Sequence, residues 1–332
     1  MTPLLHERLV QVGTAAKSFL AGAQVFCSFT RTPVSEPTAR RYTERAGAVM
    51  EECESEGFPA EALDCDDHRP RWIGADGVFV RLVGGASREV RTVTLGAVNA
   101  TLRPDGTQEV RTTDLSYFSR LTEGAEAFIE LAGVECRRRR LADAGQVAAG
   151  SDGADWCQRL FDRHCPHARR SLDFYHAGVR VHTFSKALWQ EEGLAKEHAG
   201  RHLHALKHEG PADLLTSLRA WSQVDANPTV RQVAQEQLNF FAAREELLDY
   251  PGLRAAGLPI GTGNAESANV HVIQARLKGS GKFWGKEHVN PMLALRGAFC
   301  SQRWEEAWTA TSTRMAAGHY PVHLFHAPKA KT

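Results

Sequence analysis

Three β-rich runs in immediate succession constrain the fold of this chain more than any other feature of its sequence. They span Trp72–Val83, Glu89–Val98 and Gln108–Thr113. Gly84-Gly85 separates the first two runs, and Arg103-Pro104-Asp105-Gly106 separates the last two. Glycine and proline at such points favour hairpin turns. The pattern therefore predicts three antiparallel strands in sequence order.

Helices and strands alternate after these runs. The predicted order is a helix at Glu123–Arg139, a strand at Gln146–Ala149, a helix at Ala154–His164 and a strand at Arg170–Phe174. Three antiparallel strands followed by this alternation are typical of a ribonuclease-H-like α/β sheet. The chain then reads as almost wholly helical from Ala177 to Leu253. We expect a mixed sheet with an all-helical insertion before its last helix, and a short helical segment at the amino terminus.

The chain is expected to divide into four parts. These are a helical segment at 1–60, the ribonuclease-H-like domain at 70–190 and 255–310, the helical insertion at 190–254, and a tail at 311–332. Within the first part, the stretch from Pro33 to Tyr42 resembles a turn that leads into a basic helix. It fits either a helix-turn-helix remnant or an ordinary amphipathic helix pair packed on the main domain.

Bulk composition limits the partners and the compartment. Forty Lys and Arg against thirty-nine Asp and Glu give a net charge of +1, so a nucleic acid would have to be held by local basic patches. The seven cysteines form no Cys-x-x-Cys pair, as expected for free thiols in a reducing compartment. The sequence has neither a signal core near Met1 nor a long apolar run. We expect a cytoplasmic protein with no membrane partner.

Three acidic residues stand out as a candidate metal site: Asp76, Asp152 and Glu266. Strand alternation places Asp76 on the face of Val78, Val80 and Leu82, so its carboxylate is predicted to point inward. Asp152 ends a predicted strand in an Asp-Gly turn. Helical spacing puts Glu266 on one stripe with Val270, Ile273 and Leu277.

Such a trio suits hard cations. Mg²⁺ or Mn²⁺ prefers oxygen ligands, and two ions about 3.5–4 Å apart can activate an attacking oxygen and stabilise a leaving one. Each acid also has an ordinary structural explanation. Glu266 could interact with a helix dipole from its first turn, and Asp152 could cap a helix.

Several longer strings resemble the DDE transposases of ISKra-type insertion sequences. They include Ser151 to Trp156, His164 to Ala168, Leu172 to Ala177, and Gly257 to Ser267. Farther along the chain, the resemblance includes three strings: Gln274–Lys278, Met292–Arg296 and Arg303–Trp308. Upstream it includes Ala75–Val78 and Thr94–Val98. It thus covers the chain from about Asp76 to Trp308.

This family looks related to the Mutator-like transposases, and the likeness implies particular roles. In those proteins the second acid lies in a strand-end Asp-Gly and is followed by Cys-or-Asp-x-x-His. Here Asp152 matches the first element, and Asp173 with His176 matches the second as an accessory pair. A rival assignment makes Asp173 the second catalytic acid, because it also ends a strand. The resemblance further implies the helical insertion before Glu266.

The implied activity is metal-dependent DNA cleavage and strand transfer, with two Mg²⁺ or Mn²⁺ ions on Asp76, Asp152 and Glu266. The implied partners are element-end and target DNA, bound by a homo-oligomer in the bacterial nucleoid. The basic residues expected to contact DNA are Lys278, Lys282, Lys286, Arg40 and Arg41.

Two alternatives share these residues: a nuclease that only hydrolyses nucleic acid, and an inactive DNA-binding remnant. Such transposases usually carry a longer amino-terminal region, with cysteine pairs and DNA-binding helices, and Met1 falls near its end. We therefore expect a chain that lacks the usual region for recognising element ends.

Overall fold

The computed structural model describes residues 1–57, 69–104, 108–224 and 227–318, and within them five strands form one mixed sheet. The strands are β1 (Arg71–Arg81), β2 (Ser87–Leu102), β3 (Gln108–Leu121), β4 (Val147–Ser151) and β5 (Arg169–Leu172). Their order across the sheet is β3-β2-β1-β4-β5. β1, β2 and β3 pair antiparallel, whereas β4 pairs parallel with both β1 and β5. The predicted α/β class with a mixed sheet is confirmed.

Helices cover both faces of this sheet. On one face, α4 (Ala125–Arg138) and α5 (Asp155–His164) bury Phe128 and Phe161 against Ile73 of β1. On the other face lies the segment that contains Glu266, and its Ile273 packs against Val80 of β1. The Asp76 edge of the sheet therefore faces the Glu266 segment.

The Glu266 segment is one continuous helical stretch with a change of pitch in the middle. It consists of α11 (Gly263–Ala268), a π-helix (Asn269–Gln274) and α12 (Ala275–Leu277). The π-helix follows Glu266 after less than one turn. Single-turn π-helical segments frequently occur at functional sites.

Between β5 and this segment the chain is helical, as predicted. The helices are α6 (Phe174–Leu188), α7 (Glu192–His208), α8 (Ala212–Ser222), α9 (Pro228–Ala242) and α10 (Tyr250–Ala255). They share a core in which Phe184 of α6, Leu206 of α7 and Phe241 of α9 are fully buried. The helical core thus begins with α6, directly after β5.

The amino-terminal helices pack on the carboxyl-terminal ones. α1 (Pro3–Ala15), α2 (Phe19–Thr30) and α3 (Glu36–Glu56) precede the sheet, and α13 (Lys286–Cys300) and α14 (Trp304–Ala316) follow it. A Cβ at Gly47 of α3 would lie only 2.6 Å from the Pro291 carbonyl oxygen of α13, so the two helices approach closely. Val49, Leu295 and Trp308 belong to one buried cluster. The segment 1–57 therefore shares a core with the end of the chain.

The segment expected to be a carboxyl-terminal tail, 311–332, begins within α14. α14 continues to Ala316, and Thr311 and Met315 are buried on its inner face. Residues 319–332 lie outside the described residues, as do the Asp105-Gly106 turn, Cys65 and the rest of 58–68. No helix in the described ranges combines the length and apolar character that crossing a membrane requires.

Candidate active site

Two neighbouring parallel strands bring Asp76 and Asp152 to the same edge of the sheet. The last register pair between β1 and β4 is Ala75 with Ser151, and each aspartate is the next residue along its strand. Burial raises the pKa of Asp76, and the negative charge of Asp152 raises it further. An acid next to a like charge favours its neutral form, so this edge is suited to a cation.

The turn after β4 leaves one oxygen of Asp152 open. Oδ1 accepts a hydrogen bond from the Ala154 amide at 2.9 Å, and Oδ2 accepts none from any described residue. Gly153 has φ of +83°, and a Cβ there would lie 2.6 Å from Nε of Arg244. The Asp-Gly pair is thus required by the turn, while Asp152 does not serve as the N-cap of α5, which is Ala154.

Glu266 comes from the opposite element and lies near His176 and Asp173; neither Asp76 nor Asp152 belongs to the group of possible metal ligands that these three form. The side chain of Glu266 is 42% exposed, and its Oε1 lies 3.9 Å from Nδ1 of His176. Neither carboxylate oxygen of Glu266 accepts a hydrogen bond among the described residues. Glu266 therefore has its oxygens available for a ligand.

Asn269 ties the Glu266 segment to β1. Its Nδ2 donates a 2.7 Å hydrogen bond to Oδ2 of Asp76, while the Gly77 amide donates to Oδ1, also at 2.7 Å. Asn269 is 4% exposed, and its own Oδ1 is buried without a hydrogen-bond partner. The sequence analysis missed this residue, although its position three after Glu266 marks the same helix face.

The π-helix also corrects one sequence prediction. Val270 was expected on the inward stripe with Glu266, but its side chain is 48% exposed, whereas Val272 and Ile273 are fully buried. Hydrogen bonds of the i→i+5 type widen the turn, so the residues beyond Asn269 no longer follow α-helical spacing. The wider turn points Asn269 at Asp76.

Asp173, by contrast, is saturated with hydrogen bonds. Its Oδ1 accepts from the Tyr175 amide at 2.5 Å and from the His176 amide at 3.3 Å, as the N-cap of α6. Its Oδ2 accepts from the Thr262 amide at 2.8 Å and from the Thr262 hydroxyl. Burial alone would raise the pKa of Asp173, but His176 and these donors lower it to about 2. Asp173 therefore joins the start of α6 to the loop before Glu266.

His176 lies close to both Asp173, whose oxygens are all hydrogen-bonded, and Glu266, whose oxygens accept no hydrogen bond from the described residues. Its Nδ1 is 3.8 Å from Oδ2 of Asp173 as well as 3.9 Å from Glu266. Asp173 raises the pKa of His176, and the charges of Asp152 and Glu266 raise it further. One ligand atom from each of Asp173, His176 and Glu266 lies within 4.8 Å of the others, so these side chains surround a common space.

The five basic residues expected to contact DNA differ in what they already bind. Lys282 donates from Nζ to the carbonyl oxygens of Lys17, at 2.8 Å, and Arg276, at 3.2 Å. Lys286 pairs with Glu123, and Arg40 pairs with Glu36 at 2.8 Å. Arg41 is exposed over the Tyr42 ring, and Lys278 is exposed with no side-chain partner among the described residues. Lys278 is thus the cation in this set most available to a phosphate.

No protein-family model matches the chain, and a comparison with characterised proteins finds no match. The geometry of the site therefore carries the functional argument.

Proposed function

We propose that this chain is a DDE transposase, which cuts DNA and joins its 3′ end to a target, built on a ribonuclease-H-like domain. One observation carries the proposal: Asp76 and Asp152 end up side by side where β1 and β4 separate, with Glu266 on the helical segment that packs against them. The strand order β3-β2-β1-β4-β5 supports the ribonuclease-H-like assignment.

The donor set fits hard divalent cations. Asp152 Oδ2 and both oxygens of Glu266 are free of hydrogen bonds within the described residues, and the pKa of Asp76 is raised by burial and, to a lesser degree, by the charge of Asp152. Carboxylate oxygens of this kind are the usual ligands of Mg²⁺ and Mn²⁺. Two such ions on Asp76, Asp152 and Glu266 supply an activated oxygen nucleophile and a stabilised leaving oxygen.

The remaining residues orient this set. Asn269 holds the Asp76 carboxylate in one orientation by donating a hydrogen bond to Oδ2. Asp173 fixes the loop that precedes Glu266 through Thr262. His176, 40% exposed and held near three acids, is placed to donate a hydrogen bond to a phosphate oxygen at the cluster. We propose that the DNA is held by a homo-oligomer, with Lys278 contacting its backbone, and that the protein works in the bacterial nucleoid.

A strand-transfer assay tests the proposed function. A labelled DNA duplex with a free 3′ hydroxyl is incubated with a circular plasmid in Mg²⁺ or Mn²⁺, and both cut and joined products are measured. We expect both products from the wild-type chain and neither from Asp152→Asn. Asp155→Asn is the matched control, because Asp155 is an exposed acid three residues farther along.

The products also separate the alternatives. Cut DNA without joined DNA would make the protein a nuclease. DNA binding with no metal-dependent cleavage at all would identify an inactive remnant. Cleavage that persists in Asp152→Asn would contradict the assignment of the site.

A further inference from the structure

A cleft of about 710 Å³ opens where three distant segments of the chain meet. Its walls come from the start of α2 (Lys17 to Leu20), the first half of α3, and the stretch from Gly281 to Gly285 that follows α12. A volume of this size is typical of small-molecule binding sites. None of the acidic residues of the proposed active site lines it.

The floor of the cleft is a buried guanidinium. Arg276 is 3% exposed, and its Nε and Nη1 donate to the carbonyl oxygens of Gly13 and Lys17, both at 3.3 Å. Its guanidinium carbon lies 4.3 Å from the centre of the Phe19 ring. Nη2 is buried and makes no hydrogen bond with any described residue. Arg276 is thus rigidly held with one donor unused.

The charge of the cleft favours an anion. Four lining residues are cationic and two are acidic: Lys17, Arg40, Arg276 and Lys282 against Glu36 and Glu44. Burial raises the pKa of Glu44 to about 7, although Arg40 and Arg276 oppose the shift, so Glu44 is only partly ionised at neutral pH.

The amino terminus of α2 adds a second source of positive potential. Ser18, Phe19 and Leu20 line the cleft and form the cap and first turn of this helix of 12 residues. The first amides of a helix have no partner within the helix and attract anions.

The rim of the cleft is apolar and includes an aromatic ring. Phe283 is 52% exposed, Leu20 is 54% exposed and Val83 is 71% exposed. An exposed ring beside an anion site matches the two parts of a nucleotide, because every base offers a flat face for stacking and every phosphate a negative charge.

A second cavity shares one wall residue, Lys282, with the cleft. It has a volume of about 470 Å³, and its lining includes Phe79, Arg81 and Lys278. Phe79 is 59% exposed. This cavity therefore offers further cations and a second exposed aromatic ring beside the cleft.

We propose that the cleft binds one unpaired nucleotide of the DNA substrate. Its base stacks on Phe283, and its phosphate binds at the start of α2 beside Lys17 and Arg276. This inference rests on the proposed function, because it takes the bound strand to be the DNA substrate.

The test compares a blunt duplex with duplexes that carry a short 3′ or 5′ single-stranded overhang and the same number of phosphates. Affinities are measured by fluorescence anisotropy in EDTA at one salt concentration, since salt alone changes DNA affinity steeply. We expect one overhang to bind about tenfold more tightly than the blunt duplex, as stacking of one base on an aromatic ring predicts.

Phe283→Ala is expected to remove this gain without changing the affinity for the blunt duplex, and Phe283→Tyr to retain it. Phe29→Ala is the matched control, because Phe29 is 84% exposed on α2 but does not line the cleft. Equal affinities of the wild type for all duplexes, or equal losses in Phe283→Ala and Phe29→Ala, would overturn the proposal.

The nucleotide-binding cleft and the transposase activity can be disproved separately. An overhang preference that depends on Phe283 in a chain without metal-dependent cleavage would leave the cleft as assigned and contradict the transposase proposal. Metal-dependent cleavage without any overhang preference would support the transposase proposal and contradict the assignment of the cleft.

Discussion

One aspartate follows β5, and two others lie side by side, one directly after β4 and one within β1, yet the surroundings of these aspartates differ. At β5, Asp173 accepts four hydrogen bonds, and its pKa falls to about 2. In the other pair, Asp152 accepts one, and the pKa of Asp76 is raised. The Asp173 carboxylate, with both oxygens occupied by hydrogen bonds, holds two elements together, whereas Asp152 keeps one oxygen open beside a second acid and is available to a cation.

The same contrast separates the lysines. Lys282 donates hydrogen bonds to two carbonyl oxygens, and Lys286 forms an ion pair with Glu123. Lys278 has no side-chain partner in the described part of the chain and is exposed. The lack of a hydrogen-bond or ion-pair partner, more than charge alone, therefore distinguishes residues with a proposed function from those that stabilise the structure.

The largest expected effect comes from exchanging the two kinds of aspartate for alanine. Asp152→Ala should lower the cleavage rate by about 10²–10³-fold, because it removes a ligand of the ions whose charge would stabilise the transition state. Asp173→Ala should lower the rate only partly and also lower the melting temperature. Rates and thermal melts of both variants check this. Complete loss of cleavage from both, with unchanged melting, would place Asp173 among the metal ligands.

Asn269→Ala should have the next largest effect on activity. Loss of the hydrogen bond to Asp76 leaves that carboxylate free to rotate, and removal of such a supporting partner typically lowers metal affinity or activity 10–100-fold. The measurement is the metal concentration at half-maximal cleavage. Asn239→Ala, on the exposed side of α9, is the control. An unchanged metal dependence in Asn269→Ala would mean that Asp76 needs no such support.

Asp173→Asn should mainly affect stability. Asparagine has a single acceptor oxygen, so it cannot accept hydrogen bonds both from Thr262 and from the amides of Tyr175 and His176; an unpaired buried donor costs about 1–3 kcal/mol of unfolding free energy. Urea unfolding measures the loss. Thr309→Ala, which removes a hydroxyl bonded within exposed α14, is a control expected to change stability little.

The pH dependence of that stability has a definite sign. The pKa of Asp173 is about 2 in the folded chain and about 3.9 in an unfolded one. Its stabilisation, about 2 kcal/mol, is therefore fully present above about pH 4 and is lost as the pH falls towards 2. Asp173→Asn should lack this part of the acid destabilisation. An identical acid dependence in both chains would show that Asp173 is not the group that titrates.

The smallest effect concerns Lys278. Lys278→Ala should weaken DNA binding a few-fold and reduce the slope of log affinity against log salt by about 0.9, as expected for one lost phosphate contact. Lys286→Ala should change the slope less, because Lys286 already pairs with Glu123. Equal changes in both slopes would remove the distinction between paired and unpaired lysines.

The sequence predicts strands and helices best where local chemistry decides them. Gly84-Gly85 and the alternation after Trp72 place β1 and β2 within a few residues of their observed bounds. β3 runs on to Leu121, beyond the predicted end at Thr113. Its extension includes buried Ser119 and Arg120, which pair with Thr92 and Glu54. Those partners are distant in sequence, so no local pattern indicates that such polar residues are buried.

The candidate site likewise contains features that the local sequence predicts and features that depend on distant partners. The inward face of Asp76 and the turn position of Asp152 follow from the alternation and the Asp-Gly turn. The roles of Thr262 and Asn269 do not, because Thr262 binds an acid 89 residues away and Asn269 binds one 193 residues away. Sequence periodicity assumes one helical pitch, and the change of pitch after Glu266 breaks that assumption.

Direct measurement of metal binding tests the central claim, that Asp76 of β1, Asp152 after β4 and Glu266 form a divalent-cation site. Mn²⁺ binding is measured by the loss of the free-ion signal in electron paramagnetic resonance, for the wild type, Asp76→Asn, Asp152→Asn, Glu266→Gln and Asp173→Asn. The account predicts Mn²⁺ binding by the wild type and by Asp173→Asn, and strongly reduced binding by the other three. Wild-type affinity in Asp152→Asn together with lost binding in Asp173→Asn would contradict it.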